Sequence, residues 1–290
     1  MIQIETKQHF SGHQGAIYAL TPGTEQNIFY SVGGDGWLVQ WTVGQENGRL
    51  LARHDVPFVS LATFQETIFA GSLHGQLFIY RPSQDPRLVD WHKKGLFKII
   101  VCPPHLFTLG GDGRLTKWDL FKGLALETIR LSSQALRSAY QIGDSTLYIG
   151  ASDGCIYQLQ LPDLSVKAFW QAHRLSVFSL AFHDGILFSG GRDGMLKSWD
   201  LNDGQRLLHE VPAHLYTINA LTMAGKYLVS ASRDKTVKIW HVPTLELLKV
   251  IDIFKFEAHF RSVNQVLYLE ADQLVLSAGD DRQIISWKIN

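Results

Sequence analysis

Apolar positions along this chain come in short runs that alternate with polar ones, such as Ile28-Phe29-Tyr30-Ser31, Leu187-Phe188-Ser189 and Tyr227-Leu228-Val229-Ser230. Each run leads to a Gly/Asp pair and then to a second run, as in Leu38-Val39-Gln40-Trp41. Alternation over a few residues, bounded by turn formers, predicts strands. The Gly-Asp-Gly or Arg-Asp-Gly between two runs supplies the positive φ angles of a tight hairpin. No segment sustains a helical period, so the chain is expected to be nearly all β.

The pattern is periodic on a longer scale. One eleven-residue segment recurs as Ser31…Asp35…Trp41, Thr108…Asp112…Trp118, Ser189…Asp193…Trp199, Ser230…Asp234…Trp240 and Ser277…Asp281…Trp287. Two weaker copies, Ala70…His74…Tyr80 and Ile149…Asp153…Leu159, fill the gaps. The turn positions 35, 74, 112, 153, 193, 234 and 281 are separated by 39, 38, 41, 40, 41 and 47 residues, so seven units account for the chain. Six units carry an upstream histidine (His13, His54, His92, His173, His214 and His259), 16 or 18 residues before the Ser/Thr/Ala position. In the fourth unit Ser133 stands at that distance.

These residues resemble the WD40 repeat family. The likeness is carried by Gly12-His13 and the Ala-His pairs, by the Ser/Thr–Asp–Trp spacing, and by Trp118-Asp119 and Trp199-Asp200, and it extends over residues 1–290. It implies a single all-β domain, a seven-bladed β-propeller of four-stranded antiparallel blades around a central channel. The last unit runs out after Trp287-Lys-Ile-Asn, while Ile2-Gln-Ile-Glu-Thr-Lys7 precedes the first unit as a surplus alternating segment. Pairing the N-terminal strand into the last blade is expected to close the ring and remove an open edge.

Repeated His, Ser and Asp invite a catalytic-triad reading, but a nucleophile needs one activated hydroxyl beside one oriented base and an oxyanion site. A constellation copied from blade to blade reads instead as architecture. In the family the histidine donates to the aspartate, the hydroxyl bridges to the histidine and the indole N–H meets the hydroxyl. Trp37, Trp91 and Trp170 fall outside this position and read as packing rather than stacking platforms. His74 and His183 have no companions that would make a metal site, and Gly-Gly-Asp-Gly lacks the Gly-Lys-Ser/Thr of a phosphate loop. No cofactor and no catalytic residue is expected.

Composition narrows the function. With 27 basic and 27 acidic residues the formal charge is zero, 46% of residues are apolar, and 19% are charged. That excludes a disordered tail protein and speaks against nucleic-acid binding. Apolar runs are too short to span a bilayer, no secretion signal is visible, and Cys102 and Cys155 lack disulfide or zinc spacing. The expectation is a cytoplasmic, monomeric propeller that acts in a complex as a non-enzymatic scaffold for a protein or peptide.

By the family likeness, partners bind where the His- and Asp-bearing loops emerge. One register there reads Tyr18, Val59, Phe97, Arg137, Phe178, Asn219 and Asn264. The other, just before the Asp, reads Gly34, Leu73, Gly111, Ser152, Arg192, Arg233 and Asp280. Tyr18, Phe97, Arg137, Phe178, Arg192 and Arg233 are therefore the candidate partner-binding residues, suited to an acidic peptide or loop. A propeller hydrolase or lyase would need a non-repeating acidic cluster at the channel, which the sequence lacks. A histone-tail reader would need an acidic mouth, which the arginines oppose. The second and fourth units are expected to lose most of their polar network. The extra residues at Val250–Phe256 are expected to extend a strand, the alternative being a protruding loop with Phe254 and Phe256 exposed.

Overall fold

Each unit folds into consecutive antiparallel strands because its alternating runs are joined by turns too short for any other connection. The computed structural model describes residues 2–290; Met1, the first residue of the expected 1–290 domain, lies outside the described residues. The described residues form seven four-stranded sheets. Six are built in chain order, from residues 17–53, 58–90, 96–130, 136–171, 177–212 and 218–251. The seventh joins Val263–Leu269, Leu274–Gly279 and Gln283–Ile289 to an outer strand from the other end of the chain, Ile4–Ser11. That strand begins within the surplus segment 2–7 and continues to Ser11. The sheets are arranged around one channel as a seven-bladed β-propeller, with blade seven against blade one.

The core is distributed between blades. Phe10, on the N-terminal strand, is fully buried with its ring edge-on to Phe29 at 5.2 Å and to Trp41 at 5.8 Å. These residues share a cluster with Leu276 and Ile284 of blade seven, so the seam is an apolar joint as well as a hydrogen-bonded one. The same pattern joins Tyr148 and Ile156 of blade four to Val177, Leu180 and Trp199 of blade five.

At the hairpin after the conserved Asp, Gly113 has a φ of +77°, and its carbonyl accepts the amide of Leu131. A Cβ there would run into the Ser132 carbonyl, so glycine satisfies both conformation and close approach. Lys235 and Arg282 occupy this place in blades six and seven with φ of +75° and +68°.

All seven inner strands carry the same irregularity. Their pairing with the second strand slips between Ile17/Ala19, Phe58/Ser60, Leu96/Lys98, Leu136/Ser138, Val177/Ser179, Ile218/Ala220 and Val263/Gln265. The skipped residues are Tyr18, Val59, Phe97, Arg137, Phe178, Asn219 and Asn264. A bulge re-aims the side chain of its extra residue, and here it does so once per blade.

The insertion before blade seven does not extend a strand. The outer strand Glu246–Ile251 stops, and Asp252 caps a one-turn helix, Ile253–Phe256, by accepting from the amides of Phe254 and Lys255 at 3.0 Å each. Glu257 ends the turn in a left-handed conformation. Phe254 is 94% exposed, whereas Phe256 is partly buried against the core cluster that includes Val263, Val275 and Trp287.

Replacing Phe10 with Ala is expected to cost roughly 3–5 kcal/mol, as for other fully buried phenylalanines. Denaturant unfolding checks it; a loss near zero would mean the seam does not hold the ring.

Candidate functional site

The polar residues of the five regular repeats meet in one chain of hydrogen bonds per blade. In blade one, His13 Nδ1 lies 2.8 Å from Asp35, His13 Nε2 lies 2.7 Å from the Ser31 hydroxyl, and Trp41 donates its indole N–H to that hydroxyl at 2.7 Å. The carboxylate only accepts, so Nδ1 carries the hydrogen. Nε2 then accepts from the hydroxyl, whose free lone pair receives the indole. The corresponding three distances are 3.1, 2.9 and 2.9 Å for His92, Thr108, Asp112 and Trp118. They are 3.0, 2.8 and 2.9 Å for His173, Ser189, Asp193 and Trp199. His214, Ser230, Asp234 and Trp240 give 2.9, 2.7 and 2.8 Å, and His259, Ser277, Asp281 and Trp287 give 2.9, 2.9 and 2.7 Å.

Every one of these hydroxyls is fully buried, so none can meet a substrate. The aspartates also hold the next loop, accepting backbone amides such as those of Gln14, Arg174 and Leu215. Burial alone would raise their carboxyl pKa values. The histidine and amide hydrogen bonds together outweigh it and hold Asp35, Asp112, Asp193, Asp234 and Asp281 below the ordinary value. For His92 and His214 burial wins over the aspartate and pushes the imidazole pKa down.

The two weak units differ from expectation in one case. Blade four rebuilds its network: Asp153 accepts from the Ser132 hydroxyl at 2.6 Å, the Tyr157 hydroxyl at 2.7 Å and the Cys155 amide at 2.9 Å. Ser132, not Ser133, takes the histidine's place, because the turn between Leu136–Ile142 and Thr146–Ala151 is one residue longer than its counterpart in blade five. Its amide reaches the Gly113 carbonyl as that of His173 reaches Gly154. Burial and then Asp153 push the Tyr157 hydroxyl pKa up. Blade two has only a local cap, with Ser72 accepting from His74 and Gln76, while the His54 ring packs against Phe58 and Phe78.

The remaining tryptophans pack on the blades. Trp91 donates to Thr116 and lies 4.9 Å from Trp118, Trp170 meets Tyr148 and Trp199, and Trp37 lies near His13 under Arg53. Among the described residues no group of three His, Cys, Asp or Glu could hold a metal ion.

The seven bulged residues surround the mouth of the channel, a cavity of about 380 Å³. Arg137 lies over the rings of Phe97 at 4.0 Å and Phe178 at 5.3 Å, and its Nε donates to Ser152 at 3.0 Å. Asn219 and Asn264 stitch neighbouring blades by donating to the carbonyls of Val263 and Ile17, and Asn264 also donates to Asp280.

Beside the mouth, over blades three to five, a second cavity of about 640 Å³ is lined by Lys94, Arg137, Arg174 and Arg192. Its one acid, Asp153, is already occupied by the three donors named above. Burial and then the charge of Arg192 lower the Arg137 pKa, so the two guanidinium groups feel one another.

Of the six candidate partner-binding residues, Phe97, Arg137, Phe178 and Arg192 come together. Tyr18 stands elsewhere on the channel wall, and Arg233 lines neither cavity. Lys94 and Arg174 were not among the candidates, although each follows its blade's histidine position within two residues. The same loops of blades five to seven expose Leu175, Leu215, Tyr216 and Phe260, with Leu215 87% accessible.

The fold is that of a seven-bladed β-propeller, and two of its repeats are similar to WD40 repeats. Residues 164–200 and 205–241 match the family model described as "WD domain, G-beta repeat". The chain is similar to Shk1 kinase-binding protein 15 of Schizosaccharomyces pombe, with 31% identity over 51% of this chain. That match spans 42% of the relative's length, less than half. It is also similar to the human serine-threonine kinase receptor-associated protein, with 22% identity over 80% of this chain and 68% of that protein. The crystal structure of the WD40 β-propeller domain of Doa1 superposes with a TM-score of 0.86 at 16% identity, covering 99% of this chain and 97% of that one. This last likeness is one of fold.

Asp193→Ala leaves the His173 ring N–H and the amides of Arg174 and Met195 without their acceptor. It is expected to cost about 1–3 kcal/mol and to lower Tm. A variant as stable as the parent would contradict the network account. Acid should weaken the fold in two stages. His92 and His214 have folded pKa values below 6.5, so the unfolded chain binds protons first and stability, full above that pH, falls as pH drops below it. The depressed aspartates add a second loss below their ordinary 3.8. Calorimetry across this range tests both; a Tm that stays flat from neutrality to about pH 4 would refute the first stage.

Proposed function

We propose that this propeller is a non-enzymatic interaction adaptor that captures an acidic segment of a protein partner over blades three to five. The observation that carries the reading is the cavity lined by Lys94, Arg137, Arg174 and Arg192, whose one acid, Asp153, is held by three donors from its own blade. Four cations face a single carboxylate there, which leaves a positive excess, and guanidinium forks suit carboxylates bidentately. The stacking of Arg137 on Phe97 and Phe178 holds its plane in place, which lowers the entropy lost on binding. Exposed Leu175 lines this cavity, and Leu215 and Tyr216 on the equivalent loop of the next blade offer apolar contacts of the kind that anchor interfaces.

A protein partner is supported by the printed names of the relatives, which describe one as kinase-binding and the other as receptor-associated. The absence of catalysis is supported by the burial of each repeated hydroxyl. Two free thiols fit a reducing compartment, and the adaptor is read as a cytoplasmic, monomeric propeller within a larger complex.

Affinity purification from source cells tests it by comparing the parent with an Arg174→Glu/Arg192→Glu pair and with Arg233→Glu alone. The pair is expected to weaken capture about tenfold or more, some 1.4 kcal/mol, while Arg233→Glu retains it. Binding should also weaken as salt rises. A partner held equally by all three proteins places the interface elsewhere.

A further inference from the structure

Lys98 sits on the channel wall one residue past bulged Phe97. The residues at this level around the ring are Ala19, Ser60, Lys98, Ser138, Ser179, Ala220 and Gln265, and Lys98 is the one that carries charge. Leu20, Leu61, Ala139, Leu180 and Leu221 supply apolar wall nearby, and no Asp or Glu lines the cavity. The other cation of the lining is Arg137, at the mouth.

Lys98 is enclosed by protein on its outer side yet keeps accessible surface toward the channel, and its ammonium has no ion-pair or hydrogen-bond partner among the described residues. Enclosure lowers its pKa from the ordinary lysine value. A charge partly withdrawn from water without a partner carries a cost, and a bound anion offsets it. The neighbouring Ser60 and Ser138 hydroxyls donate to the carbonyls of Leu96 and Val177, and neither is hydrogen-bonded to the ammonium.

We propose that the channel is a binding site for a carboxylate group, with Lys98 as its charge partner. A cavity of about 380 Å³ lies within the ordinary size of small-molecule sites, roughly 300–1,000 Å³. One ammonium balances one carboxylate, and a second acidic group on the same molecule would meet Arg137 at the mouth. The carboxylate comes either from a free small acid or from an acidic side chain of an extended segment that enters the channel. The site shares Phe97 and Arg137 with the basic cavity over blades three to five, but Lys98 lines the channel only, and its substitution leaves Arg174 and Arg192 in place.

The test compares the parent, Lys98→Met and Lys98→Arg by calorimetric unfolding and titration, with succinate and with a hexaglutamate peptide, against chloride at equal ionic strength. Without added acid, Lys98→Met is expected to raise Tm, because an apolar chain of similar length replaces an unpaired charge. Succinate is expected to raise the parent's Tm, to bind Lys98→Met at least tenfold more weakly, and to retain affinity for Lys98→Arg. A Lys98 dependence seen with hexaglutamate and not with succinate supports the site and assigns the carboxylate to a partner's side chain. Equal affinities of parent and Lys98→Met for both probes overturn the proposal, as does a Lys98→Met protein that is less stable than the parent.

Discussion

Seven inner strands converge on one axis, and that crowding governs what the molecule can present. Strands this close leave room for small side chains inside the channel, and the wall below the mouth is largely Ala, Ser and Leu. The extra residue in each inner strand relieves the crowding at one level by turning a single side chain per blade toward the opening. Large groups such as Tyr18, Phe97, Arg137 and Phe178 are tolerated there and would not be tolerated a residue later. Lys98 and Gln265, a residue later, are the exceptions, and Lys98 is the charged one of the two.

The buried hydrogen-bond chains perform a different task. Each ties the loop after the histidine to the turn before the next strand, through an aspartate that serves both. Loops held in this way lose little freedom when something binds to them. In blade four the aspartate belongs to two systems: it anchors Ser132 and Tyr157 and also lines the basic cavity. The blade with the rebuilt network therefore lies beneath the basic cavity.

The repeat and its ring were legible in the sequence because their residues are chemically demanding. Only a small hydroxyl fits between an indole and an imidazole, and only a carboxylate answers the imidazole, so those positions recur with fixed spacing. The bulged register was legible for the same reason, being a fixed step from the histidine. What escaped has no period. Lys94 and Arg174 occupy loop positions that hold a different residue in every blade, and a lysine on a strand such as Lys98 reads as an ordinary solvated position until the strand is known to face inward. Ser132 was displaced by one residue because spacing cannot register a single insertion within a loop. The one-turn helix after Asp252 had a local signal in its capping carboxylate, overridden by the apolar run that follows.

The clasp between Ile4–Ser11 and Gln283–Ile289 also has a temporal side. Six blades can mature from neighbouring hairpins as the chain emerges, while the earliest strand stays unpaired until the latest one is made. During that interval each copy carries both an orphan strand and, soon afterwards, a vacant edge that accepts it. The edge does not distinguish its own strand from that of another copy. Local concentration therefore decides whether the first residues find the last within one ring or link one ring to the next.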